Sequence, residues 1–176
     1  KVRLTTILGT FQSTLTDFKY IRKIWQNNTE EERLLGVSLT GIMDNLLMSG
    51  KSSQLGTNIA TTLQSLRDEA VRTNAELSKK LGINQSAAIT CVKPSGTVSQ
   101  LVDSASGIHA RHNPYYIRTV RGDNKDPLTQ FMKAQGIPAE PDVMKPDSTT
   151  VFSFPMQSPR TAITRNDMSA IEQLEL

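Results

Sequence analysis

The stretch Ala87-Ala88-Ile89-Thr90-Cys91-Val92-Lys93-Pro94-Ser95-Gly96-Thr97-Val98-Ser99 decides how this chain is expected to fold. Ala87 to Val92 is a compact apolar run rich in β-formers, bounded by Ser86 and Pro94, and it reads as a buried strand. Lys93 to Thr97 then forms a loop at the strand's C-terminal end. Gly96 permits a positive φ and close approach of the backbone to a ligand. Successive N–H groups in such a turn can form a nest for an anion. Ser95, Thr97 and Ser99 add hydroxyls and Lys93 adds a cation. A helix starting near Thr97 would add its dipole. The pattern is not a P-loop, which ends in Gly-Lys-Ser/Thr. Pro-Ser-Gly-Thr is also common turn chemistry, and for these five residues alone an ordinary turn is the plainer reading.

Upstream, Val2 to Gln26 carries Leu4, Ile7, Leu8, Phe11, Leu15, Phe18, Ile21, Ile24 and Trp25 at helical spacing. Asn27-Asn28 is expected to end that helix. Thr29 then resembles a new helix start, with Glu32 at capping-box spacing. Leu34 to Leu39 reads as a short buried strand, and Gly41 to Met48 as a short helix closed by Gly50. Leu55 to Leu81 is the clearest helix, striped by Ile59, Leu63, Leu66, Ala70, Leu77 and Leu81, with Gly82 at C′. Downstream, Tyr115 to Val120 and Thr149 to Phe154 are strand candidates. Asp126-Pro127 opens a helix running through Gln135 and ended by Gly136. Pro138 to Pro146 reads as an irregular loop, and Asn166 or Asp167 as the cap of a last helix. Strands alternating with helices imply βαβ units, a mostly parallel sheet and an α/β fold. With no repeat, low-complexity stretch or linker, residues 1–176 read as one unit. Both ends fall inside helical patterns, so the unit is expected to be cut from something longer.

Two further stretches hold chemistry. Gly107-Ile108-His109-Ala110-Arg111-His112-Asn113-Pro114-Tyr115-Tyr116-Ile117-Arg118 gathers both histidines, two arginines and two tyrosines before a strand. That density suits a loop contacting a small molecule. Metal binding is disfavoured, because no carboxylate or Cys stands at ligand spacing beside the histidines. In Glu32-Arg33-Leu34-Leu35-Gly36-Val37-Ser38-Leu39-Thr40-Gly41, two glycines flank a short run, which fits a structural strand packed closely on a neighbour.

Composition narrows the function classes. The chain has 176 residues, 37% hydrophobic and 21% charged, which is a globular composition. No apolar run approaches the ~20 residues of a membrane span. Twenty basic and 17 acidic residues are interleaved, for a net charge of +3. Without a basic block or an aromatic ladder, a nucleic-acid polymer is a poor partner. A local basic pocket for a phosphorylated small molecule fits the same charge. The single cysteine, Cys91, allows no internal disulfide and no CxxC metal site. In a strand it reads as a small hydrophobe. With no signal peptide visible, a cytoplasmic location is expected.

Together the three stretches carry a resemblance. Glu31 to Gly41 resembles the Arg-x-x-Gly-Val-x-x-x-Gly stretch of ribonucleotide reductase large subunits. Lys93 to Ser99 looks like their substrate-phosphate loop, and Gly107-Ile108-His109 followed by Tyr115-Tyr116-Ile117-Arg118 is similar to the segment after it. The likeness is greatest to the adenosylcobalamin-dependent (class II) branch, with the monomeric ribonucleoside-triphosphate reductases favoured.

The resemblance implies part of a ten-stranded α/β barrel made of two half-barrels. It also implies conversion of ribonucleotides to 2′-deoxyribonucleotides through a thiyl radical started by adenosylcobalamin. A cysteine pair would supply electrons, re-reduced by thioredoxin or a similar dithiol. Carried over by position, Ser95, Gly96, Thr97, Val98 and Ser99 would cradle substrate phosphates. Lys93, His109, Arg111, His112 and Tyr116 are candidates for contact with substrate or cobalamin. The family's Asn-x-Cys-x-Glu finger loop is absent from this sequence, and Cys91 does not match it. No residue here is therefore assigned a catalytic or metal-ligating role. The isolated chain is expected to be inactive, acting with the remainder of the reductase or a partner half. A non-catalytic nucleotide-binding module and a structural α/β domain are the alternatives.

Overall fold

The computed structural model describes residues 1–50, 59–93, 95, 96 and 98–175. Helix α1 spans Val2–Gln12 and α2 spans Lys23–Glu32, so the single helix expected over Val2 to Gln26 is broken. The break follows from hydroxyls competing for helix carbonyls. Ser13 Oγ donates to the Thr10 carbonyl and Thr14 Oγ1 to that of Phe11, both at 2.7 Å. Asn27 and Asn28 lie inside α2, and Thr29 caps nothing. Its hydroxyl instead donates back to the Trp25 carbonyl at 2.8 Å.

Helix α3 spans Ile59–Leu81, and Gly82 follows it with φ +66°. Leu55, where this helix was expected to start, lies outside the described residues. Helices α1 and α3 pack through small and polar side chains, among them the buried Thr6, Thr10, Ala70 and Asn74. Asn74 Nδ2 donates to Thr10 Oγ1 and Ser86 Oγ, each at 3.0 Å, and Asn74 Oδ1 accepts the Ser86 amide at 3.0 Å. A buried amide satisfied in this way specifies the packing, whereas one left unpaired would oppose it. Leu4, Leu8 and Phe11, on the apolar stripe of α1, remain exposed.

The segments Leu34 to Leu39 and Ala87 to Val92 run parallel. The Leu35 amide reaches the Ala88 carbonyl and the Val37 amide the Ile89 carbonyl, each at 2.9 Å, and the Cys91 amide returns to Val37 at 3.2 Å. They meet in a single bridge, Val37 to Thr90, and are not the buried strands expected. Ile89 is buried, but Leu34 and Val92 are exposed, because little of this chain covers the outer face of the pair. A second parallel bridge joins Arg111 and Thr164.

The sheet itself is antiparallel, which corrects the expected parallel one. Strands β1 (Tyr115–Asp123), β2 (Ala139–Pro141) and β3 (Thr149–Gln157) lie in the order β1-β3-β2. The physical reason is the connection. Asp123 pairs with Thr149, so the intervening chain leaves and re-enters at the same end of the sheet. A parallel crossover would have to return along the strands. Short strand β2 falls within the expected loop.

The one-turn helix α4 spans Val98–Leu101, and α5 spans Pro127–Ala134. Asp126 caps α5 as expected, its side chain accepting the Leu128 amide at 2.9 Å. Helix α6 spans Ala170–Glu175. Its cap is Ser169, not Asn166 or Asp167. Ser169 and Glu172 exchange side-chain-to-backbone bonds at 2.7 and 3.2 Å, a capping box. A 3₁₀ turn, Ile42–Asp44, contributes Met43 to a small core with Ala105 and Ile163. No helix among the described residues is long and apolar enough to cross a membrane.

Candidate functional site

Because they are parallel, the two paired segments deliver their C-terminal ends to one place. One ends in Thr40-Gly41 and the other runs into Ser95-Gly96. There the hydroxyls gather. Ser95 Oγ lies 3.2 Å from Thr40 Oγ1 and 3.1 Å from Ser106 Oγ, and Thr40 Oγ1 lies 3.4 Å from Ser104 Oγ. Thr40 Oγ1 donates to the Ala105 carbonyl at 2.8 Å, and that carbonyl also accepts the Gly41 amide at 2.7 Å. Gly96 and Gly41 both have positive φ, +55° and +74°, a backbone region that favours glycine.

Behind this turn lies a charged clasp. Arg111 is buried, and Nε and Nη2 hold the two Asp44 carboxylate oxygens at 2.8 and 2.9 Å. Nη1 reaches Asp103 Oδ1 at 3.2 Å and the Tyr116 hydroxyl at 3.4 Å, while Nη2 also donates to the Asp103 carbonyl at 2.7 Å. Every N–H of the guanidinium is therefore engaged. These bonds, chiefly the pair with Asp44, strengthen the hold on the Arg111 proton beyond the usual arginine value. Asp44 Oδ2 additionally accepts the Ala105 amide at 2.8 Å. Ala105 is thus pinned at both its N–H and its C=O to the Thr40–Asp44 turn.

The expected contact residues fall into distinct environments. Ser95 is half-buried, and Gly96 is exposed with nothing within 4 Å on its Cβ side. Among the described residues, the Ser95 and Gly96 amides have no acceptor. Thr97 lies outside the described residues, as does Pro94. Val98 is exposed and begins α4, a single turn whose dipole adds little. Ser99 is fully buried, with Oγ bonded to the Gly96 carbonyl at 3.4 Å and to Gln100 Nε2 at 3.2 Å. It shapes the turn from behind. The donors of Arg111 are likewise filled by protein. Tyr116 bonds Arg111, and the exposed His112 ring meets Tyr116 edge-on at 5.9 Å. His109 is exposed, with Nδ1 3.0 Å from the Ser106 carbonyl.

Lys93 stands on the wall of a cavity of about 570 Å³, with Arg67 as a second cation. The wall is otherwise mostly apolar, built from Val37, Leu39, Val92, Leu63, Leu66 and Ile108 among others. This volume suits a nucleotide-sized ligand. It is too small to enclose a whole corrin cofactor. Nor do three or more His, Cys, Asp or Glu gather among the described residues as a metal site.

Sequence reading missed Thr40, Asp44 and Ser106. Thr40 did carry a signal, because a hydroxyl followed by glycine ends both parallel segments. Asp44 carried a weaker one, as a lone carboxylate in the run Gly41-Ile42-Met43-Asp44-Asn45.

The chain is 30% identical to the adenosylcobalamin-dependent ribonucleoside-triphosphate reductase of Lactobacillus delbrueckii subsp. bulgaricus, over 167 residues covering 81% of this chain and 21% of that protein. The enzyme of the same name from Euglena gracilis is 30% identical over 155 residues, covering 86% of this chain and 21% of its own. Among solved structures, the fold is similar to a B12-dependent (class II) ribonucleotide reductase, with a TM-score of 0.75 and 25% identity, covering 98% of this chain and 28% of that one. The chain spans about a fifth of the length of the curated relatives it matches. No family model matches it.

Proposed function

Because the chain belongs with the adenosylcobalamin-dependent ribonucleotide reductases, we propose that it forms the part of such an enzyme that holds a ribonucleotide by its phosphates. The observation that carries this reading is the convergence of Thr40-Gly41 and Ser95-Gly96 at one end of two parallel segments. The Ser95 and Gly96 amides there are unpartnered among the described residues. Ligands of α/β folds bind outside the carboxyl ends of parallel strands. Open space at Gly96 lets phosphate oxygens approach the two amides. Lys93, one residue beyond Val92, supplies a cation beside the cavity, where the ribose and base would sit. Holding the phosphates orients the sugar, which is how binding at a distance from the reacting bond contributes to rate.

The parallel pairs Val37–Thr90 and Arg111–Thr164 are read as portions of the family's ten-stranded barrel, and residues 1–176 as one segment of it. The reaction proposed for the full-length protein is reduction of ribonucleoside triphosphates to 2′-deoxyribonucleotides. Its cofactor would be adenosylcobalamin, the one the relatives' name states, seated on surfaces other than the cavity described. Thioredoxin or a similar dithiol would supply the electrons. His109 and His112, exposed beside this turn, are candidates for contact with substrate or cofactor, with Arg111 and Tyr116 behind them.

The test is kinetic. In the full-length protein, Gly96→Val and Lys93→Ala are each expected to raise KM for a ribonucleoside triphosphate by about tenfold or more, a loss of ~1.4 kcal/mol. An unchanged KM in both variants would refute the phosphate role and favour an ordinary structural turn.

A further inference from the structure

Counting protons at the hydroxyl cluster assigns a role to Thr40. A hydroxyl has one proton to donate and lone pairs to accept. Thr40 donates its proton to the Ala105 carbonyl, 2.8 Å away. It can therefore meet Ser95 Oγ at 3.2 Å only as an acceptor. The Ser95 proton must then point to Thr40, and the 3.1 Å contact with Ser106 is made by Ser106 donating to Ser95. Both contacts are hydrogen bonds only in this arrangement. The Ser95 hydroxyl is thereby turned inward, while its amide and that of Gly96 are left without acceptors among the described residues.

We infer that Thr40 is a positioning residue for the phosphate-binding turn. By accepting the Ser95 proton it fixes the turn so that main-chain amides, and not the Ser95 hydroxyl, meet the anion. This rests on the phosphate reading proposed above. Ala105, clamped by Asp44 and by Thr40 itself, is the rigid point behind it. Thr40 is exposed, so exchanging its hydroxyl for a methyl removes its bonds to Ser95 and to the Ala105 carbonyl with little disturbance of packing; the Gly41 and Ala105 amides still hold Ala105 to the Thr40–Asp44 turn.

The experiment uses the full-length protein, measuring Kd, KM and kcat for a ribonucleoside triphosphate in T40V, T40S, S95A and T40V/S95A. Loss of one hydrogen bond that orders the turn is expected to raise Kd and KM about three- to tenfold, with kcat nearly unchanged. T40S restores the wild-type values. S95A weakens binding in the same direction, and the double variant is no worse than T40V, because T40V already removes the bond the two hydroxyls share. If the Ser95 hydroxyl were itself the phosphate donor, S95A would weaken binding while T40V would not, and the inference would be overturned. Losses that multiply in the double variant would overturn it too. Should T40V fail to fold, an S95A protein with wild-type Kd would do the same. If instead Gly96→Val leaves Kd unaltered, the phosphate reading itself is at fault, which separates the two failures.

Discussion

The β1–β3 sheet and the hub around Ala105 differ in how far apart along the chain their partners lie and in what joins them. In the sheet, nine residue pairs form a continuous ladder from Tyr115–Gln157 to Asp123–Thr149, and backbone bonds do most of the joining. The hub draws on Thr40–Asp44, Ser95, Asp103–Arg111 and Thr161–Thr164, tied by side chains: Arg111 to Asp44, Thr40 to Ala105, and Thr161 Oγ1 to the Asp44 carbonyl at 2.9 Å. A ladder tolerates the loss of a rung. A hub organised by one buried ion pair does not, and that concentrates the consequences of mutation on a few residues beside the candidate site.

The largest effect expected is at the clasp. Arg111→Met leaves Asp44 facing a desolvated position with no partner. Removing one member of a buried pair costs about 3–5 kcal/mol, read as a lower urea midpoint. Amide exchange should accelerate at Ser99 and Ala105 while Phe152 in β3 stays protected. Equal loss of protection in β3 would merge the two regions into one cooperative unit. Arg111→Lys keeps the charge but not the planar fork, so it should recover only part of the stability.

Next is the sheet's own weak point. A side chain at Gly122 would overlap Thr129 Oγ1 where β1 meets α5, and Thr129 is buried. Gly122→Ala should cost about 1–3 kcal/mol, as overpacking does, and loosen the sheet while sparing the hub.

Gly96→Ala tests the turn alone. The space is open, so only the left-handed conformation resists, at about 1–2 kcal/mol. The measurement is thermal unfolding alongside substrate affinity.

The smallest effect is electrostatic. A hydrogen bond from Arg121, followed by the amides of Met144 and Lys145, holds the Asp142 carboxyl below its ordinary value. Its contribution is present above the unfolded-state value of about 3.9 and fades as pH falls through the lower folded one. Arg121→Gln should therefore shrink the acid-induced loss of sheet stability, checked by urea midpoints from pH 5 downward.

How much of the molecule could be read in advance follows the same division. Asp126-Pro127 and Gly82 mark helix ends through bonds made within one turn, and the structure places them as read. Ser95-Gly96 and its left-handed turn were legible for the same reason. The direction of β3 was not, because alternating strand and helix patterns do not say at which end of a sheet the chain re-enters. Arg111 shows the limit at the site. Its polarity and its place after the Ser95-Gly96 turn point to a ligand, but its partner Asp44 lies 67 residues upstream. Nothing local in either stretch announces the pair. Thr40 is hidden in the sequence because its neighbours Leu39 and Gly41 read as packing, and its meaning appears only once Ser95 stands beside it.

The most direct test of the phosphate role is a crystal structure of the full-length protein with a ribonucleoside triphosphate bound. Phosphate oxygens are expected at about 2.7–3.2 Å from the Ser95 and Gly96 amide nitrogens, with the Ser95 hydroxyl still on Thr40. Phosphates bound elsewhere, with Gly96 left facing solvent, would contradict it.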